Sequence, residues 1–318
     1  MNNILETNLN FQQNGGRRLT GFNNLNENQK FFSGLYVLGG LPNVGKTTFV
    51  WQLLEQFAKN GELCFFLSYE LTRLQLGIKL MARELFKRNP KISLTATQIA
   101  LGCYNSDNLK QIRQTCPHLQ NLHIWDLSDT ESTSLTELLN KFSKNSPKPP
   151  IICIDYLQVV TDSDSAKIYT IEEIMYKLKN LQVKTNTTFI IISSFNRANY
   201  LQPATFDSFN TTEIIENISD VVWCLQPFAA NSLSGRNNFE DRKTLKRAMS
   251  ENPRKMMLTC LKNRFGKEYD TAFKYYLEHD YFEPCKISDF EKILSIDEDS
   301  DISVWDLPPR VNKNNNFF

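Results

Sequence analysis

The stretch LYVLGGLPNVGKTTFV, Leu35 to Val50, constrains the fold more than any other. Gly40 and Gly45 flank Leu41–Val44, and Lys46 and Thr47 follow, which satisfies the pattern G-x-x-x-x-G-K-[ST]. Glycines at those places let backbone N–H groups turn inward as an anion-binding nest, and the helix that follows adds its positive end. Such a loop needs a strand before it and a helix after it. The apolar run GLYVLGG supplies the strand, and Phe49, Val50, Leu53, Leu54 and Phe57 recur at helical spacing. The loop therefore predicts a nucleoside triphosphate site with Gly40, Asn43, Gly45, Lys46, Thr47 and Thr48 as its nucleotide-binding residues. Lys46 would reach the β- and γ-phosphates and the Thr47 hydroxyl would ligate Mg²⁺, making ATP and Mg²⁺ the expected cofactors.

The rest of the chain alternates in the same manner. Apolar strand-like runs lie at Leu35–Gly39, Leu63–Ser68, Leu122–Trp125, Ile151–Asp155, Thr188–Ser193, Val221–Leu225 and Met256–Leu261. Helical patterns fall between them at Thr47–Ala58, Arg73–Lys87, Asp107–Thr115, Ser134–Lys144, Ile171–Lys184 and Asp241–Glu251. Continuous apolar strands separated by helices predict an α/β fold with a mainly parallel sheet covered on both faces. TAFKYYLEHDYF reads as a final antiparallel strand closing an edge hairpin. The expected division is a polar N-terminal arm (1–18), one ATPase domain (19–285) and an acidic, then Asn-rich, C-terminal tail (286–318). In that tail, Asp289, Glu291, Asp297, Glu298, Asp299, Asp301 and Asp306 are mixed with large apolar residues, a composition that suits plain disorder or a disordered segment that docks on a basic-rimmed groove.

Composition sets limits. The chain has 318 residues, is 41% hydrophobic and 22% charged, and carries a net charge of +1, which argues against a strongly basic nucleic-acid binder. Its seven cysteines form no C-x-x-C pair; the odd, scattered count favours a reducing cytoplasm over a disulfide framework. The three histidines, His118, His123 and His279, are too scattered for a metal site. No apolar run reaches the ~18 residues of a membrane span, so a cytoplasmic location with no membrane partner is expected.

Three further stretches point to the chemistry. IICIDYLQVV puts Asp155 at the carboxyl end of a strand, where a carboxylate can hold Mg²⁺ through its water shell. CFFLSYELT puts Glu70 just past the second strand, beside the expected γ-phosphate, where it can deprotonate an attacking water; an acid capping the next helix is the alternative. In CLKNRFG, Lys262 and Arg264 are two apart at a strand end and leave on one face. They read equally well as solvated edge charges or as phosphate-directed cations, the latter worth about 10³–10⁵ in rate.

The order of these motifs resembles the C-terminal ATPase domain of the DnaB family of replicative helicases, a branch of the RecA-like ATPases. The resemblance runs from LTGFNNLN (Leu19–Asn26) to KYYLEHDYFEP (Lys274–Pro284). FFLSYEL is similar to the family's glutamate-bearing strand, which implies a catalytic role for Glu70; IDYLQVV is similar to its Mg²⁺-site strand, which implies one for Asp155. SSFNR (Ser193–Arg197) resembles the sensor segment. CLKNRFG resembles the segment whose lysine and arginine reach a neighbouring subunit's ATP, which makes Lys262 and Arg264 catalytic across an interface. The family implies self-assembly as a hexamer or another ring or filament, with single-stranded DNA as a partner.

The sequence also departs from that pattern. Ser194 stands where the family has a glutamine that senses γ-phosphate. The loop ANYLQPATFDSFNTTEIIEN (Ala198–Asn217) has no lysine or arginine where the family's loop is basic, and offers only Tyr200, Phe206 and Phe209 for stacking. Nothing ahead of Leu19 resembles the family's N-terminal domain or linker helix. Cations gather instead in GRNNFEDRKTLKRAMSENPRK. Arg242, Lys243, Lys246 and Arg247, with Arg254 and Lys255, make a candidate phosphate-backbone surface or else a solvated helix face. Two functions follow: a DnaB-like ATPase acting on nucleic acid, or a regulatory or scaffold ATPase of the same fold whose ATP state switches binding to a protein partner.

Overall fold

The computed structural model describes residues 18–126, 148–155, 170–209, 212–234 and 239–291. In chain order the elements are α1 (Asn23–Asn28), β1 (Leu35–Gly40), α2 (Lys46–Lys59), β2 (Cys64–Ser68), α3 (Arg73–Arg88), α4 (Ala96–Ala100), α5 (Ser106–Thr115), β3 (Leu122–Asp126) and β4 (Ile151–Asp155). They continue with α6 (Ile171–Thr185), β5 (Thr188–Ser194), α7 (Thr212–Ile218), β6 (Val221–Pro227), α8 (Phe239–Ser250), β7 (Arg254–Asn263), β8 (Tyr269–Tyr276) and β9 (Tyr281–Cys285). The strands form one sheet in the order β3-β2-β4-β5-β1-β6-β7-β8-β9. β1 to β6 are mutually parallel and β7 to β9 antiparallel.

The parallel strands are apolar on both faces because both faces are covered: every residue of β1, β2, β4 and β6 is buried. β1 feeds β2 across β5 and β4, so the carboxyl ends of β1, β5, β4 and β2 stand side by side at one edge. That edge is where ligands bind in such sheets. α2 lies against the sheet so completely that Glu55 is buried; Arg83 (2.5 Å) and Lys59 (2.7 Å) neutralise it. Cys116 and His118 come within 4.8 Å of that carboxylate, but both of its oxygens are already taken by the two cations. An aromatic cluster joins α2 to the antiparallel edge: Phe49 stacks on Phe22 and meets Phe273 and Phe282 edge-on. The buried Trp223 indole donates to the Tyr269 hydroxyl, which donates in turn to Gln29.

TAFKYYLEHDYF is not one strand but parts of two. Asp280 takes a left-handed φ of 48° and turns the chain from β8 into β9, a conformation aspartate tolerates better than most residues. β7 extends two residues beyond the expected run at each end. The helices α1, α4 and α7, of 6, 5 and 7 residues, are too short to imprint a period on the sequence. The helix expected at Ser134–Lys144, the N-terminal arm up to residue 17 and the tail from residue 292 lie outside the described residues. Past residue 285, Phe290 is buried against Phe228, ring centroids 5.2 Å apart. All seven cysteines are unpaired thiols, and Cys64, Cys153, Cys224 and Cys260 are buried in the sheet as their apolar runs imply. No described helix is long and apolar enough to cross a membrane.

Candidate active site

The phosphate loop leaves β1 and winds into α2, and its two motif glycines are required for different reasons. A Cβ on Gly40 would sit 2.5 Å from the Leu225 carbonyl of β6, so the position demands close backbone approach. Gly45, the N-cap of α2, has φ 92°, and a Cβ there would meet the Tyr275 ring at 2.8 Å. Asn43 also takes a left-handed φ, 62°. Lys46 folds back across the loop, its Nζ donating to the Gly40 and Leu41 carbonyls at 3.0 and 2.8 Å. Burial pushes its pKa down to about 8, against the pull of the Asp155 and Glu70 carboxylates.

Thr47 Oγ1 donates to Asp155 Oδ2 at 2.7 Å, joining the helix start to the end of β4. Asp155 is wholly buried; desolvation pushes its carboxyl up to about 6, opposed first by the Thr47 hydrogen bond. Its Oδ1 is buried without a hydrogen-bond partner among the described residues. A hydroxyl beside a carboxylate with an unspent oxygen is the hard-oxygen donor set that Mg²⁺ takes, so these residues fit the ion.

Glu70 sits in the turn between β2 and α3, anchored on either side. Tyr69 N–H donates to the Asp155 carbonyl at 2.7 Å, and Ser68 Oγ exchanges hydrogen bonds with Leu71. The N-cap of α3 is Thr72, which forms a full capping box with Gln75, so Glu70 does not cap that helix. It is exposed, in a cleft of about 990 Å³ that it shares with Asn43, Lys46, Thr47, Asp155 and Ser194. Ser194 stands in register with Gly40.

Some expected residues are placed differently. Thr48 lines the cleft, but its hydroxyl is committed to Asp280 at 2.9 Å on the hairpin side, leaving the nucleotide only its backbone. Lys262 and Arg264 are at the other end of the sheet. Leu225 pairs with both Gly40 and Leu258, whereas Lys262 pairs with Val222, towards the amino ends of the parallel strands. Both reach one place: Lys262 donates to the Glu216 carbonyl, and Arg264 donates to the Asn217 carbonyl and Asp220, each at 2.9 Å.

In α8, Arg242, Lys243, Lys246 and Arg247 are all exposed. Arg254 does not belong with them. It is buried at the start of β7, and its Nη1 donates to the Asn43 carbonyl at 2.7 Å. Lys255 pairs with Glu251 at 4.0 Å. Phe209, offered above as a stacking residue, is buried edge-on to Phe195 over Gly39. Lys79, Arg254 and Tyr275 line the cleft and were missed: Arg254 sat inside a cation run, and nothing in the sequence around Lys79 or Tyr275 marks them as close to the loop.

The sequence profile of the DnaB-like helicase C-terminal domain matches residues 19–284. The chain belongs to that family. The replicative DNA helicase DnaB of Synechocystis sp. (strain ATCC 27184 / PCC 6803 / Kazusa) is 26% identical over 169 residues, 52% of this chain and 18% of that protein. The chain thus matches less than a fifth of that relative. Two solved structures share the fold. The ATPase domain of G40P has a TM-score of 0.66 at 17% identity, over 89% of this chain and 96% of that one. A DnaB-like replicative helicase, described with its interactions with primase, has a TM-score of 0.66 at 16% identity, over 90% of this chain and 66% of that one. The parallel sheet with an antiparallel edge is therefore the RecA-like fold of those helicase ATPase domains, and family membership makes this chain a DnaB-like helicase C-terminal domain.

Proposed function

We propose that the chain is a Mg²⁺-dependent, ATP-hydrolysing motor domain that works as an oligomer on nucleic acid. One observation carries the reading: Lys46, Thr47, Asp155 and Glu70 converge on one cleft, while Lys262 and Arg264 lie at the opposite end of the same sheet. Lys46 balances the β- and γ-phosphate charge. Thr47 and, through its water shell, Asp155 would hold the cation, which would neutralise charge on the phosphates. Glu70 orients the attacking water and takes its proton, a role open to it because it is exposed in the cleft rather than spent on a helix cap. Lys262 and Arg264, too far along the strands to serve their own loop, complete the site of a neighbouring copy in a hexamer or another ring or filament, where a guanidinium stabilises transition-state charge. A protein partner of the primase kind fits the same assignment, as does a cytoplasmic location.

A second reading is favoured by Ser194 and by the cation-free Ala198–Asn217 segment: an ATPase whose nucleotide state switches a protein partner without unwinding DNA. Steady-state hydrolysis against protein concentration, with and without single-stranded DNA, decides. Specific activity that rises with concentration and is stimulated by DNA supports the motor. Basal turnover in an oligomer with no DNA response supports the switch.

A further inference from the structure

The phosphate loop is held from outside by a residue that no motif contains. We infer that Arg254 is a positioning residue that pre-organises the loop for the polyphosphate by fixing the orientation of the Asn43–Val44 peptide. The inference rests on the loop being the nucleotide site. Arg254 Nη1 donates to the Asn43 carbonyl at 2.7 Å, and Asn43 holds a left-handed φ of 62°, a conformation asparagine adopts more readily than most non-glycine residues and one that the bond to Arg254 holds in a fixed orientation. In a planar trans peptide the carbonyl and the following N–H point in opposite directions. A guanidinium that draws the Asn43 carbonyl away from the loop therefore aims the Val44 N–H back into it. A nest binds an anion by such convergent N–H groups.

The guanidinium is itself held in place. Arg254 is 8% exposed, faces the Tyr275 ring at 6.0 Å from its centroid, and keeps a buried Nε with no partner among the described residues. Tyr275 is stacked on Phe282, centroids 4.2 Å apart and planes 5° from parallel, and abuts Gly45. Carbonyl, guanidinium and ring thus form one layer from the loop to the antiparallel hairpin. Both Arg254 and Asn43 line the cleft.

A positioning residue acts on binding of the phosphates before chemistry begins. Arg254→Met keeps the stem and loses the donor; Arg254→Lys keeps a charged donor. For full-length protein, ATPγS and ADP titrations and steady-state ATPase assays should show Arg254→Met weakening both ligands about 10–100-fold, the scale of one charge-assisted hydrogen bond. KM should rise accordingly with kcat within a few-fold, since what is lost is binding shared by ground and transition state. Arg254→Lys should recover most of the affinity. An Arg254→Met protein that binds ATPγS within twofold of wild type overturns the inference, as does a loss confined to kcat. Lys46→Ala, run in parallel, separates the two readings: if it too binds normally, the loop is not the nucleotide site. Should Arg254→Met fail to fold, the ¹⁵N-valine spectrum of Arg254→Gln, which loses the charge, decides: a Val44 amide shift larger than those of valines remote from the loop is expected, and an unmoved Val44 resonance overturns the inference.

Discussion

The two halves of the sheet do different work on the same loop. The parallel half, β1 to β6, puts the groups proposed to react at its carboxyl edge: Lys46 and Thr47 after β1, Glu70 after β2, Asp155 at the end of β4. The antiparallel half, β7 to β9, contributes none of those groups, yet it grips the loop at three points: Arg254 on the Asn43 carbonyl, Tyr275 against Gly45 and Asp280 on Thr48. Chemistry is presented from inside the sheet, and its geometry is kept from the edge. Changes in the first half should cost turnover or all binding, and changes in the second should cost affinity or stability in smaller steps.

The largest effect belongs to Lys46. Lys46→Ala should leave no measurable ATP affinity in an isothermal titration with a non-hydrolysable analogue, because the phosphates lose their direct cation; unchanged affinity would dissolve the comparison at its root. Next, Glu70→Gln should bind normally and turn over about 10²–10⁴ times more slowly, since an amide can hold a water but not take its proton. Near-normal hydrolysis would place the base elsewhere. Arg264→Ala should lose most activity alone, but mixing it with Lys46→Ala protein should restore part of it, because some interfaces then pair an intact loop with an intact arginine. No recovery in mixtures shown to co-assemble would reduce Arg264 to its bond with Asp220.

Smaller losses test the edge. The Asp280 carboxylate accepts from Thr48 and Lys79, so Asp280→Ala leaves the buried Thr48 hydroxyl and the half-buried Lys79 without that partner and should lower stability in urea by about 1–3 kcal/mol while leaving turnover within a few-fold. If kcat falls by orders of magnitude instead, the edge is part of the reaction. The smallest effect is expected of Lys243→Ala with Lys246→Ala on α8, where removing two exposed cations should flatten the salt dependence of single-stranded DNA binding by a slope of about 1–2. Superimposable isotherms would remove α8 from any nucleic-acid surface.

What the sequence made legible divides along the same line. Lys46, Thr47, Glu70 and Asp155 are tied to strands whose continuous apolar runs are visible in the chain: Asp155 ends β4, Glu70 follows β2 within two residues, and Lys46 and Thr47 follow the glycine loop that leaves β1. Burial on both faces forces the pattern, and the pattern locates the residues. Arg254 had no such marker. It read as one more cation after Arg247 because sequence does not tell a surface arginine from one turned onto a carbonyl more than two hundred positions away. The Asp280 turn was partly hidden: TAFKYYLEHDYF has strand residues on either side of Glu278–Asp280, and the break is a 3₁₀ turn over Leu277–His279 that ends in the left-handed Asp280. Phe209 and the Thr48 hydroxyl were hidden for a related reason. Each side chain is engaged elsewhere, Phe209 by packing on Phe195 and the Thr48 hydroxyl by its hydrogen bond to Asp280, while Thr48 itself still lines the cleft.

β7 has a length that matters mechanically. Its 10 residues, paired with β8 from Arg254 to Cys260 and with β6 between Met256 and Asn263, rise about 3.3 Å each, roughly 30 Å from Arg254 to Asn263. A strand clamped in the middle of a sheet hardly stretches. If Lys262 and Arg264 reach across to the next copy as proposed, β7 is a tie rod between two fuel chambers, bolted to its own loop at one end and leaning on the neighbour's at the other. In a closed ring, one of the proposed assemblies, such rods would leave no slack inside the members. Any give during a working cycle would then be taken up at the joints between subunits.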